Sequence, residues 1–133
     1  MTEKDLYQFL NHDKEIKSLY SEYKLCGVYM SEPKSPNMTS IPGGNGGEDK
    51  LMELMDRRKS IYRKIEERVA LRDIAERELD RVAAKISDDL QLKVFKMLYK
   101  IGYDVPEIAA TLSYHKSHIY RQRRAILKLV APL

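Results

Sequence analysis

Residues 103–130 read YDVPEIAATLSYHKSHIYRQRRAILKLV, and two short helices with a tight turn between them account for the pattern. Asp104-Val105-Pro106-Glu107 is a compact helix start. Asp104 can cap, Glu107 lies three residues on as the returning acid of a capping box, and Pro106 falls in the first turn, where its missing N–H costs nothing. Val105, Ile108, Ala109 and Leu112 then recur at helical spacing, facing inward. Ser113-Tyr114-His115 makes the turn. A second helix from about Lys116 to Val130 buries Ile119, Ile126, Leu127 and Val130, and Pro132 helps to end it.

Charge singles out the same stretch. The net charge is only +4, but it is unevenly spread. No Asp or Glu follows Glu107, whereas Lys116, Arg121, Arg123, Arg124 and Lys128 do. The preceding residues hold the other 19 bases against all 20 acids, so the whole excess sits at the C-terminal end. Such an asymmetry predicts a polyanionic partner there and an ordinary solvated surface elsewhere.

Two short helices with Ala109 in the middle of the first suit a helix-turn-helix, because a small residue lets the second helix cross closely. With Ile119 taken as inward, Ser117, Arg121, Arg124 and Lys128 project from the opposite face, and Tyr114 and His118 lie on its edge. Arginines pair bidentately with guanine edges or grip phosphates, while Ser, Tyr and His hydrogen-bond to either. The expected contacts to double-stranded DNA are therefore Tyr114, Lys116, Ser117, His118, Tyr120, Arg121, Arg124 and Lys128, with helix 116–130 in the major groove.

From about Leu79 to Val130 the chain resembles the region-4 helix-turn-helix of bacterial sigma factors. The likeness rests on Glu107-Ile108-Ala109 and Leu112, leading through the turn into the basic run Arg121-Gln122-Arg123-Arg124-Ala125. The nearer resemblance is to phage and prophage transcriptional regulators of the ArpU/RinA type, in which a sigma-like C-terminal domain follows a variable helical arm. That resemblance implies a regulator of late or packaging genes of Gram-positive phages and mobile islands. Two positions depart from the family's pattern. Ser113 stands where the family has Gly, which asks for a non-glycine residue in the left-handed conformation. Arg123 takes an inward position that is commonly apolar, so it is expected to snorkel or to pair with an acid rather than read DNA.

Outward from this stretch, the expected fold is all-α: a long helical coiled-coil or hairpin arm followed by the helix-turn-helix domain. Residues 1–27 form an N-terminal helix on Leu6, Phe9, Leu10, Ile16, Leu19, Tyr20 and Tyr23, with Gly27 placed to close it. Residues 28–47, VYMSEPKSPNMTSIPGGNGG, hold three prolines and four glycines and read as a flexible linker. Residues 48–86 read as one long helix. Leu51, Leu54, Met55, Ile61, Tyr62, Ile65 and Val69 form a narrow stripe close to a heptad repeat, with Glu53–Arg57 and Asp73–Arg77 as four-residue ion pairs. A stripe that narrow needs a partner, either the first helix folded back or a second copy of the chain, and a homodimer is expected. Near Leu71 and Ile74 the stripe changes phase and runs on through Leu79, Val82 and Ile86, so the end of this helix is expected to meet the C-terminal domain, residues 87–133. There, Ser87-Asp88-Asp89 restarts the helix, and Leu90, Val94, Leu98 and Ile101 carry it to Gly102.

Other chemistries find little support. No run approaches the roughly 18–20 apolar residues of a spanning helix, and MTEKDLYQFLNHDKE has no apolar signal core. The reading is a cytoplasmic protein of a bacterial host. Gly43-Gly44-Asn45-Gly46-Gly47 lacks the Lys-Ser/Thr of a phosphate loop. His115 and His118 have no Cys or acid nearby in sequence, so no metal site and no cofactor are expected. Cys26 lacks an activating base and reads as a packing residue at the helix end. Most of the nine tyrosines fall on helix stripes and read as core. No constellation supports an enzyme. The alternatives to a DNA-binding transcriptional regulator are a small-terminase-like packaging component and a helical protein that contacts RNA polymerase through the sigma-like segment. Mass in solution separates dimer from packaging ring.

Overall fold

A computed structural model describes residues 1–31 and 46–133, and every regular element among them is helical. The elements are α1 (Glu3–Leu6), α2 (Gln8–Ser31), α3 (Gly46–Ala83), α4 (Asp89–Lys96) with a π-helical turn (Met97–Ile101), α5 (Val105–Leu112) and α6 (Lys116–Val130). Among the described residues no helix is long and apolar enough to cross a membrane. Two compact units emerge, one of Met1–Asp13 with Ala70–Leu133, the other of Lys14–Val69.

The first unit is built around α6. Ile119, Ile126 and Val130 are fully enclosed, together with Ile108 and Ala109 of α5, Val94 and Phe95 of α4, Leu79 and Val82 from the end of α3, and Ile86 of the segment that follows it. The phase change along α3 thus does lead into the C-terminal elements, although Leu71 and Ile74 themselves stay about half exposed. α3 stops at Ala83, short of the expected 86; the Lys85 and Ile86 N–H groups close tight turns on Val82 and Ala83 at 3.0 and 3.1 Å. Asp88 then caps α4, accepting from the Gln91 N–H at 3.1 Å.

Spacing alone misplaces Ile101. After Lys96 the helix widens into the π turn, and the extra residue rotates later side chains out of the 3.6-residue register. Met97, Leu98 and Tyr99 turn inward, while Ile101 is 57% exposed. Gly102 ends the turn at φ 91°, a conformation natural to glycine. Its N–H and that of Tyr103 both donate to the Met97 carbonyl, at 3.0 and 2.9 Å.

The N-terminal residues complete this unit. Leu6 enters the same core, and the Tyr7 ring meets Tyr99 edge-on, with centroids 5.1 Å apart. Tyr99 is wholly buried against Tyr7 and Phe95. Its hydroxyl donates to Glu3 Oε1 at 3.3 Å, and the same oxygen accepts from Arg123 Nε and Nη2 at 2.9 and 2.6 Å. Arg123 thus turns inward and pairs with an acid, as its position predicts. The carboxylate beside it holds the guanidinium protonated more firmly than usual. Burial, and then the Glu3 charge, pushes the Tyr99 and Tyr7 phenols up. Two further ion pairs join separate helices: Arg72 to Asp13 at 3.0 Å and Lys100 to Asp80 at 3.1 Å. The expected pairs Glu53–Arg57 and Asp73–Arg77 do not close, because an exposed pair in high dielectric gains little for the side-chain entropy it loses.

In the second unit α2 runs on through Gly27 to Ser31. Gly27 therefore does not end the helix, and residues 28–31 are helical rather than linker, the first proline coming only at residue 33. The rest of the linker reading, the glycine run up to Asn45 included, lies outside the described residues; Gly46 already opens α3. Leu19 and Cys26 of α2 bury against Ile61 and Ile65 of α3, with Tyr23 and Val69 packed beside them. Cys26 packs within the helix, not at its end. The α3 stripe is thus partly covered by the chain's own first helix, while Leu51, Met55 and Tyr62 stay exposed. The tyrosines are mostly not core: of the nine only Tyr99 is buried, and Tyr20, Tyr29, Tyr62, Tyr103, Tyr114 and Tyr120 are exposed. A phenol at a stripe edge keeps its hydroxyl in water.

Two predictions follow from the Glu3 contacts. Glu3→Gln leaves Arg123 without its counter-charge in a partly buried site and should cost about 1–2 kcal/mol in chemical denaturation, with a coupling of about 1 kcal/mol to Arg123→Gln in a double-mutant cycle. Equal stability of Glu3→Gln and wild type would contradict the contact. The phenols set the alkaline limit. Tyr7 and Tyr99 stay protonated in the fold where unfolded tyrosine ionises, near pH 10, so their contribution is intact below that pH and lost as pH rises above it. Ultraviolet titration should show Tyr99 ionising only as the helical signal falls.

Candidate nucleic-acid interface

Local chemistry sets each end of the α5–α6 pair. Asp104 accepts from the Glu107 N–H at 2.9 Å and Glu107 Oε1 accepts from the Asp104 N–H at 3.4 Å, the reciprocal box that the sequence predicts. α5 ends on Ser113 at φ 58°, ψ 41°, so the left-handed turn is made without a glycine. The Tyr114 N–H closes it on the Ala109 carbonyl at 3.0 Å. His115 caps α6: its Nδ1 accepts from the Ser117 N–H at 3.2 Å and lies 2.8 Å from the Ser117 hydroxyl. α6 then runs from Lys116 to Val130, the bounds expected from its spacing.

The expected contact residues share the outward side and flanks of this pair. Tyr114, Lys116, Ser117, Tyr120, Arg121, Arg124 and Lys128 are exposed. His118 is half-buried, because its ring stacks on Tyr114 with centroids 5.0 Å apart and planes 24° from parallel. On one flank of α6, Ser117, Tyr120, Arg124 and Leu127 line a hollow of about 560 Å³ with the stem of Arg123. Ser117 is partly committed to the His115 cap, which leaves Arg121 and Arg124 as the long donors of the outward face.

The five bases beyond Glu107 divide by environment. Arg123 is neutralised by Glu3. Among the described residues no carboxylate reaches ion-pair distance of Lys116, Arg121, Arg124 or Lys128. An uncompensated face of this kind attracts phosphate, and a guanidinium fork also matches the O6/N7 edge of guanine. Sequence reasoning misses Glu3, Tyr7 and Tyr99, which hold α6 from behind. Their only signal is the inward position of Arg123, which leaves it to snorkel or to pair with an acid without saying which acid.

The Ser113 turn generates a prediction. A serine in the left-handed region is strained where glycine is not, so Ser113→Gly should raise stability by about 0.5–1 kcal/mol. A lower melting temperature for the variant would mean that the serine hydroxyl compensates for the strain. In comparisons with known proteins, no protein-family model, no curated protein and no solved structure matches this chain.

Proposed function

We propose that the protein is a sequence-specific regulator of transcription that binds double-stranded DNA, with α5 and α6 acting as a helix-turn-helix and α6 entering the major groove. One observation carries the reading: Lys116, Arg121, Arg124 and Lys128 stand exposed and unneutralised on a helix whose opposite face is fully packed. A rigid helix with a positive outer face can follow the groove without rearrangement. Arg121, nearer the N-terminal end of α6 and flanked by Ser117 and His118, reads bases, while Arg124 and Lys128 hold phosphate. The target proposed from the sigma-like resemblance is a phage or mobile-element promoter, with RNA polymerase as a further partner. A homodimer fits the apolar side chains left exposed on the two helices of the 14–69 unit, Leu51, Met52, Leu25, Val28 and Tyr29 among them. Dimerisation would set two copies of α6 on paired half-sites.

The test is selection of bound sequences from a random duplex pool, followed by titration of variants at several salt concentrations. Arg121→Ala should cost about 1–3 kcal/mol on the selected site and relax its sequence preference. Lys128→Ala should weaken all duplexes alike and reduce the salt slope by about one unit. Wild-type affinity in both folded variants would move α6 off the DNA and favour an assembly or packaging role.

A further inference from the structure

The unit of residues 14–69 contains a cavity that DNA binding by α6 does not use. Tyr23 of α2 and Met55, Arg58, Tyr62 and Arg63 of α3 help to line its volume of about 520 Å³, a size typical of sites for small organic ligands. On α3, Met55, Arg58, Tyr62 and Glu66 recur at three- and four-residue steps, with Lys59 and Arg63 one residue on from Arg58 and Tyr62, so they share one side of the helix.

Arg58 is held there in an unusual way. Its guanidinium carbon lies 4.2 Å from the centre of the Tyr23 ring, a cation–π contact. Gly27, four residues after Tyr23, sits inside α2, where glycine weakens a helix. A Cβ at that position would come within 3.2 Å of Arg58 Nη2. The missing side chain therefore makes the space in which the guanidinium lies. Arg58 Nε is enclosed and has no hydrogen-bond partner, and among the described residues no carboxylate pairs with the group. Stacking and shape position this cation, not a counter-charge. A buried N–H without a partner is costly and rare in native proteins, and here it accompanies a guanidinium kept available on its outer edge.

The surroundings define a ligand. Lys59 and Arg63 also line the cavity, against one acid, Glu66, so the wall is positive. Tyr62 and Met55 are exposed within it, and the Tyr62 ring stands 6.0 Å from Tyr23 with its plane tilted by 43°. An inorganic anion would leave that apolar surface unused, and a neutral aromatic would leave three cations unanswered. We propose that this cavity binds a nucleotide-sized aromatic phosphate: the phosphate on Arg58, Arg63 and Lys59, the ring on Tyr62 and Met55. The same chemistry is offered by a free mononucleotide and by the terminal nucleotide of a single strand.

Calorimetric titration of the full chain with AMP, adenosine, inorganic phosphate, a 5′-phosphorylated thymidine tetranucleotide and a poly-glutamate peptide tests it. AMP should bind saturably, one per chain, with adenosine and phosphate each at least about tenfold weaker. Arg58→Gln, Arg63→Gln and Tyr62→Ala should each weaken AMP about tenfold, the last two at exposed positions where the fold is not at stake. Gly27→Ala is the sharper variant. It should hold or raise the melting temperature, since alanine favours helix, yet weaken AMP by displacing the guanidinium, an effect that purely structural packing of Arg58 does not produce. Arg121→Ala and Lys128→Ala should bind AMP like wild type, which keeps this site apart from the α6 face. Tighter binding of the tetranucleotide with the same dependence on Arg58 assigns the site to a strand end, and equal binding assigns it to a free nucleotide. The proposal is overturned if AMP binds no better than phosphate, if the folded Gly27→Ala and Arg58→Gln variants bind AMP normally, if Arg121→Ala abolishes AMP binding, or if poly-glutamate occupies the site and AMP does not.

Discussion

The unit of residues 1–13 and 70–133 depends on one constraint, the burial of the Tyr99 ring. A phenol taken wholly out of water brings a hydroxyl that must find an acceptor. Glu3 supplies it at 3.3 Å. A carboxylate drawn into a half-buried site needs a cation in turn, and Arg123 answers with two donors on the same oxygen. Apolar burial provides the energy, through Val94, Phe95, Ile108, Ile119 and Ile126. The polar chain decides which segments come together, and so ties the first turn of the protein to its last helix. The extra residue of the π turn brings Met97, Leu98 and Tyr99 inward side by side.

Within α6 the same residue type does two jobs because its surroundings differ. Arg123 and Arg124 are adjacent in sequence, yet a step of about 100° around the helix separates them. One is spent on Glu3 and fixes the orientation of the helix. The other stands in solvent, free of any described carboxylate. A helix held rigidly on one face and left positive on the other suits the groove recognition proposed above, since little entropy would remain to be lost on binding. Ser113 and the reciprocal Asp104–Glu107 cap serve the same end by fixing where α5 stops and starts.

The unit of residues 14–69 distributes its apolar surface differently. Ile61 and Ile65 are used inside the chain, against Leu19 and Cys26. Leu51 and Met52 remain exposed, outside the internal hairpin. Gly27 shows a local preference overruled by a neighbour: it weakens α2, yet its bare backbone accommodates the Arg58 guanidinium stacked on Tyr23.

What the sequence determined by itself was local. The capping box at Asp104, the bounds of α6 and the outward set around Arg121 follow from spacing and from hydrogen bonds spanning a few residues, whereas the left-handed Ser113 was implied only by the resemblance to the sigma-like family. That Arg123 would snorkel or pair with an acid rather than face outward was legible as well. Tertiary structure decided everything that needed a distant partner: that the acid is Glu3, 120 residues away in sequence, that Ile101 turns outward behind a π turn, and that α2 runs past Gly27. It also decided that α3 spends half its stripe on its own chain. The physical reason is the same in each case. Helix periodicity reports which face of a segment is apolar, whereas the identity of the surface that covers it depends on which burial satisfies the most polar groups at once, and a linear pattern does not contain that information.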